Sequence, residues 1–228
     1  MRKNLLFITA LACASSIVGA IENTIDSDTF YNAQKNKVFT DKNKNLSIGF
    51  EEGDETPFLT WEGQLSGGKL YFELHGNQIK IITGRHSITA NLENSFRLND
   101  EAVTGLDPRG VALYVNTNDH PQNAVLCIES LEPDVSRTTP YRSAYIITEP
   151  TASAKLYKIP KRFASCKGLI RGSSRRSLYV PEWKFDDSLA RTFQVVYHHI
   201  QPKGFEVTAK PRFSGKTIEG AFDLFQFN

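Results

Sequence analysis

Residues 69–81 read Lys69-Leu70-Tyr71-Phe72-Glu73-Leu74-His75-Gly76-Asn77-Gln78-Ile79-Lys80-Ile81. Successive side chains of a strand point to opposite faces, so Leu70, Phe72 and Leu74 share one face while Tyr71, Glu73 and His75 share the other. Gly76-Asn77 then supplies a two-residue turn with glycine first, as a type II′ hairpin wants, and Ile79 and Ile81 continue the apolar face. Working outward, Ser66-Gly67-Gly68 makes the turn before and Gly84-Arg85 the turn after. The 36 residues from Pro57 to Leu92 therefore hold four sequential antiparallel strands.

Beyond this meander, Asp107-Pro108-Arg109-Gly110 is a turn that starts a second β region, with Val111, Leu113 and Val115 alternating and a further strand from Ala124 to Glu129. Residues Ser130 to Arg142 are rich in Pro, Ser, Thr and charge and lack periodicity, the composition of a surface connection or a linker. Strands are expected at Ser143 to Thr148, Lys155 to Ile159, Ser177 to Val180, Thr192 to Ile200, Phe205 to Ala209 and Ile218 to Phe227, with Pro202-Lys203-Gly204 turning one hairpin. Helix is scarce: Ser27 caps one through Lys35, Pro160 starts a turn ending near Cys166, and Asp186 caps another through Arg191. The pattern predicts a mainly β protein, an antiparallel β-sandwich or barrel-like domain with few short helices. It is one domain over residues 21–228, with sub-sheets at 36–129 and 143–228 joined by the loop 130–142.

The first twenty residues stand apart. Arg2 and Lys3, an apolar run from Leu5 to Val18 and the small residues Val18-Gly19-Ala20 read as an export signal cleaved after Ala20, which places the chain in the periplasm or outside the cell. A run of about fourteen residues is too short to span a bilayer that needs ~20. Cys13 would allow a lipoprotein reading, but the residue three before it is alanine, where such signals carry a larger aliphatic side chain. If the source were eukaryotic, Asn45-Leu46-Ser47 would be a glycosylation acceptor.

Cleavage removes Cys13 and leaves Cys127 and Cys166 in an oxidising compartment, where one disulfide is expected. Closing a loop of about 40 residues stabilises by roughly 4 kcal/mol on the chain-entropy model. Cleavage also takes two basic residues and no acid, so a net charge of +2 becomes 25 basic against 25 acidic residues. A neutral chain has no global field for nucleic acid, and no nucleic-acid partner is expected.

The charge is nonetheless polarised along the sequence. Ile21 to Glu62 carries nine acids, Glu51, Glu52, Asp54 and Glu55 among them, against four lysines. Lys155 to Arg176 carries eight basic residues and no acid: Lys155, Lys158, Lys161, Arg162, Lys167, Arg171, Arg175 and Arg176. The functional expectation is an anion-recognising segment, with Lys161, Arg162, Lys167, Arg171, Arg175 and Arg176 as the binding residues and an anionic envelope component or exported protein as the partner. The same layout also fits solvated faces, or acidic and basic parts lying against each other.

No catalytic signature is present: no Gly-x-Ser-x-Gly elbow, no His-Glu-x-x-His, no phosphate-cradling glycine loop and no paired-cysteine zinc pattern. No catalytic residue, metal or cofactor is assigned. His198 and His199, adjacent on a strand, point to opposite faces; His199 shares its face with Phe193, Val195 and Tyr197, so one packs among aromatics and the other is solvated. Trp61 and Trp183 are read as core or sheet-edge residues. The sequence thus reads as an exported β-rich binding protein. One alternative is an exported hydrolase using His75, His86 or His198 as base; the other, prompted by the alternating Phe222 to Asn228 terminus, is a small outer-membrane β-barrel.

Overall fold

A computed structural model describes residues 24–39, 46–50, 57–65, 68–98, 103, 105–116, 124–130, 142–150, 153–174, 177–186, 192–206, 213–218 and 224–227. The expected signal segment with Cys13, Ser66-Gly67, residues 131–141, Arg175, Arg176 and the expected helix over 187–191 lie outside the described residues.

The described chain opens with a two-residue strand, β1 (Ile25–Asp26), and the one α-helix among the described residues, α1 (Ser27–Ala33). Its cap is Asp26 rather than Ser27, because the carboxylate accepts the Thr29 N–H at 2.6 Å, three residues on. The meander follows as β2 (Leu46–Phe50), β3 (Pro57–Leu65), β4 (Gly68–His75), β5 (Gln78–Thr83) and β6 (His86–Asn91), each antiparallel to the next. Phe72, Leu74 and Ile79 are fully buried on one face, as their alternation requires. Gly76 and Gly84 take left-handed φ values of +54° and +59°, while Asn77 and Arg85 do not, which is the type II′ pattern.

A second sheet contains β7 (Val111–Val115), β8 (Val125–Ser130), β9 (Ala144–Thr148) and β10 (Lys155–Ile159), in the order β10-β9-β8-β7. Pro108–Gly110 forms the turn into β7, capped by the Asp107 side chain. β8 pairs with β9 across residues 131–141, so this sheet draws strands from both sides of that connection.

The third sheet contains β11 (Ile170–Arg171), β12 (Leu178–Phe185), β13 (Thr192–Gln201), β14 (Gly204–Glu206), β15 (Phe213–Thr217) and β16 (Leu224–Phe227). Its order is β1-β16-β15-β13-β12-β11, with β14 on β13. Ile25 opposite Phe225 thus ties the start of the described chain to its end.

The three sheets stack, with the second in the middle. One of its faces, carrying Val111, Leu113, Leu126, Ile128, Tyr145, Ile147 and Leu156, packs on the meander. The other face, carrying Ala112, Tyr114, Val125, Cys127, Ala144, Ile146, Tyr157 and Ile159, packs on Leu178, Val180 and Ile200 of the third sheet. Burial on both faces is why β7 to β9 read as continuous apolar runs rather than as an alternation of inward and outward residues. The outer face of the third sheet is closed by α1. Phe30 and Tyr31 pack there with Phe163, Trp183, Phe193 and Phe225 in an aromatic cluster whose ring centroids lie as close as 4.6 Å. Trp61 and Trp183 are each 4 % exposed and belong to the first and third of these cores. No described helix is long and apolar enough to cross a membrane.

The expected disulfide is present: Cys127 in β8 joins Cys166, with Cα atoms 5.8 Å apart and both residues fully buried. The helical turn expected from Pro160 instead spans Cys166–Gly168, because the Ser165 side chain accepts the Lys167 N–H and starts it there.

Candidate functional site

The connection from β10 to β11, residues 160–169, is held at several points. Lys161 O accepts the N–H groups of Arg142 and Ala164 at 3.1 and 3.2 Å. Phe163 adopts φ +55°, a conformation that non-glycine residues keep only when surroundings impose it. Those surroundings are the ring's place in the aromatic cluster and the Tyr31 hydroxyl, which donates to Phe163 O at 2.6 Å and accepts Trp183 Nε1–H at 2.8 Å. Two residues later Cys166 carries the disulfide, and its N–H donates to Glu129 Oε2 at 2.6 Å.

Between this connection and α1 lies a cleft of about 110 Å³, lined by Asp26, Ser27, Asp28, Tyr31, Arg142, Phe163, Ala164 and Ser165. Glu129 of β8, 3 % exposed, thus holds this connection through Cys166 N–H, and it also accepts the Tyr114 hydroxyl at 3.0 Å. Burial pushes its carboxyl above the ordinary carboxylate range, against the pull of the Cys166 N–H, the Tyr114 hydroxyl and the nearby Arg142 guanidinium. Asp26 is held below that range by its hydrogen bonds from Thr29, with a smaller contribution from the Lys167 charge. Arg142 Nε is buried with no hydrogen-bond partner among the described residues. The cleft therefore carries both signs: an arginine whose Nε is unused, and two carboxylates.

The basic residues expected to form one surface divide. Lys161 and Lys167 flank the cleft-lining stretch Phe163 to Ser165, and both are partly exposed. Arg162 lies over the Phe185 ring, its Cζ 3.3 Å from the centroid. Arg171 stands in the short edge strand β11, its N–H bonded to Asn36 O. Lys155 pairs with Glu149 at 2.8 Å. Lys158 is 2 % exposed, because β10 belongs to the middle sheet and is covered on both sides. Sequence clustering of charge is thus only partly surface clustering.

The histidines also require correction. His198 is the buried one, 1 % exposed, with Nε2 2.7 Å from Glu182 Oε2, while the half-buried His199 stacks on Tyr179 and meets Gln201 and Glu206. The face of β13 opposite the aromatic cluster is exposed at Thr192 and Gln194 but enclosed from Val196 on, where it carries His198 and Ile200. His75 and His86 do not meet, since they pair with opposite ends of β5, at Gln78 and Thr83. The terminal strand β16 packs Phe225 into the aromatic core between β1 and β15, within an open sheet rather than a closed ring of strands. Among the described residues, no three His, Cys, Asp or Glu side chains stand together as a metal site.

Sequence reasoning missed Arg142, Glu129 and Tyr114. The only signal for them was Glu129 itself, an acid directly following the apolar run from Val125 to Ile128 and two residues from a bridged cysteine. Compared with known proteins, the chain matches no family model, no curated protein and no solved structure.

Proposed function

We propose that the protein is exported, to the periplasm or beyond the cell, and works by binding a partner that presents an anionic group, carboxylate or phosphate, to the cleft between α1 and the β10–β11 connection. The observation that carries this reading is the buried Nε of Arg142 at the cleft, without a hydrogen-bond partner among the described residues, since such a guanidinium donor in a sheltered site is suited to an oxyanion. Lys161 and Lys167 on the flanks add positive charge at the approach. Asp26 and Asp28 on the α1 side disfavour a polyanion and favour a discrete acidic group on a protein or envelope component. A space of about 110 Å³ suits one such group rather than a whole small-molecule substrate. The enclosure of His198, a candidate base with a carboxylate partner, also weighs toward binding over turnover.

The test is capture from an envelope extract by the disulfide-intact protein and by Arg142→Gln, at low and at moderate salt. A defined partner held by the parent, released by salt and lost in the variant, with both proteins melting alike, supports the reading. Equal capture by the two proteins overturns it.

A further inference from the structure

Resting on the anion-binding role proposed for the cleft, we infer that its ligand is a zwitterion, an α-amino-carboxylate head group whose acid meets Arg142 and whose ammonium meets Asp28. The cleft holds charges of both signs that do not satisfy each other. Arg142, its backbone N–H bonded to Lys161 O, stands beside the β10–β11 connection, and Asp26 and Asp28 stand on the α1 side. No ion pair among the described residues joins the guanidinium to either carboxylate. The two carboxylates differ. Asp26 is committed as the α1 cap and accepts the Thr29 N–H at 2.6 Å, whereas the Asp28 carboxylate accepts no hydrogen bond from a described residue. Asp28 and Arg142 also converge on one neighbourhood. Burial lifts the Tyr114 phenol above its ordinary range, the charges of Glu129 and Asp28 lift it further, and that of Arg142 opposes them.

Opposite charges that share a sheltered space without pairing each keep a desolvation cost, and a ligand carrying both signs relieves the two at once. A simple acid satisfies Arg142 but brings like charge toward Asp28, and a simple amine does the reverse. An α-amino-carboxylate carries ammonium and carboxylate on a single carbon, so one small group answers both. At about 110 Å³ the cleft takes a head group of this size and leaves the rest of a larger ligand outside. A free amino acid, and an amino acid tethered through its side chain to a larger molecule, present this same head group.

Titrations of the disulfide-intact protein, followed at the Arg142 Nε–H resonance, test this with alanine, Nε-acetyllysine, propionate and ethylamine. Alanine and Nε-acetyllysine should move the resonance. Propionate, which is alanine without its ammonium, and ethylamine, which is alanine without its acid, should each bind about tenfold more weakly. Asp28→Asn, with an unchanged melt, should bring alanine down to the level of propionate. Tighter binding of Nε-acetyllysine than of alanine identifies a head group borne on a larger molecule, and the reverse order a free amino acid. Equal binding of alanine and propionate to the parent overturns the zwitterion, whether or not the variant folds, and leaves the anion-binding role standing. Binding of none of the four also overturns it, and the anion-binding role is then decided separately by the capture experiment with Arg142→Gln.

Discussion

The Glu129 carboxylate accepts the backbone N–H of Cys166 at 2.6 Å, so the residue that carries the disulfide to β8 is bound to the same strand a second time, two positions along. Covalent bond and hydrogen bond together fasten the β10–β11 connection onto the middle sheet. On that connection stand Phe163, which reaches into the aromatic core, and Ala164 and Ser165, which wall the cleft. The rigidity of the site therefore depends on β8, a strand distant from the cleft in sequence.

Breaking the bridge removes a constraint on the unfolded chain as well as a tie in the folded one. The loop between the bridged residues spans 39 positions. Cys127→Ser/Cys166→Ser should lose roughly 4 kcal/mol on the chain-entropy model, read as a lower urea midpoint with a somewhat steeper slope, since the freed unfolded chain exposes more surface. An unchanged midpoint contradicts the structural weight given to the bridge.

Glu129 makes stability depend on pH with a definite sign. Burial lifts its folded-state pKa above the ordinary 4.5, so the folded protein retains a proton that the unfolded chain gives up. Its contribution is fully present below the unfolded value, declines as the pH rises through the folded one, and is level above it. Subtracting the Glu129→Gln urea midpoints from those of the parent, from about pH 4 to about pH 8, should give a difference that falls as pH rises. A difference that rises with pH means the hydrogen bonds and Arg142 outweigh burial.

The local parts of this fold were legible because their causes are local. The hairpin at Gly76-Asn77 rests on one turn and two alternating strands, and it folds as read. The disulfide was expected from the two cysteines that would remain after an expected signal cleavage, and Cys127 and Cys166 are joined. The third layer was not legible: the apolar run of Val111 to Val115 shows that one face is buried and is silent on whether the other is too. Four strands escaped: β1 and β11, of two residues each, are too short to show a pattern, and the two longer ones escaped for reasons that lie in their partners. β2 is an edge with little to bury, and β15 contains Gly215, where a Cβ would stand 2.7 Å from the Phe193 ring and 2.3 Å from Gln226 O, so glycine there is a packing requirement and not a turn signal. The cleft draws on residues 26–31, 142 and 163–165, and only the folded chain brings these together.

Amide hydrogen exchange of the folded, disulfide-intact protein tests most directly the arrangement on which the site depends, a middle sheet covered on both faces. In β9, Ala144 to Ile147 are each 0 % exposed, and Leu126 to Ile128 of β8 are equally enclosed, while both strands are flanked by others on each side. Their amides should be the slowest in the protein, opening only with global unfolding, and the amides of β2 and β6 the fastest among the strands. Exchange in β8 and β9 as fast as in those edge strands would contradict the three-layer stack and, with it, the footing of the cleft.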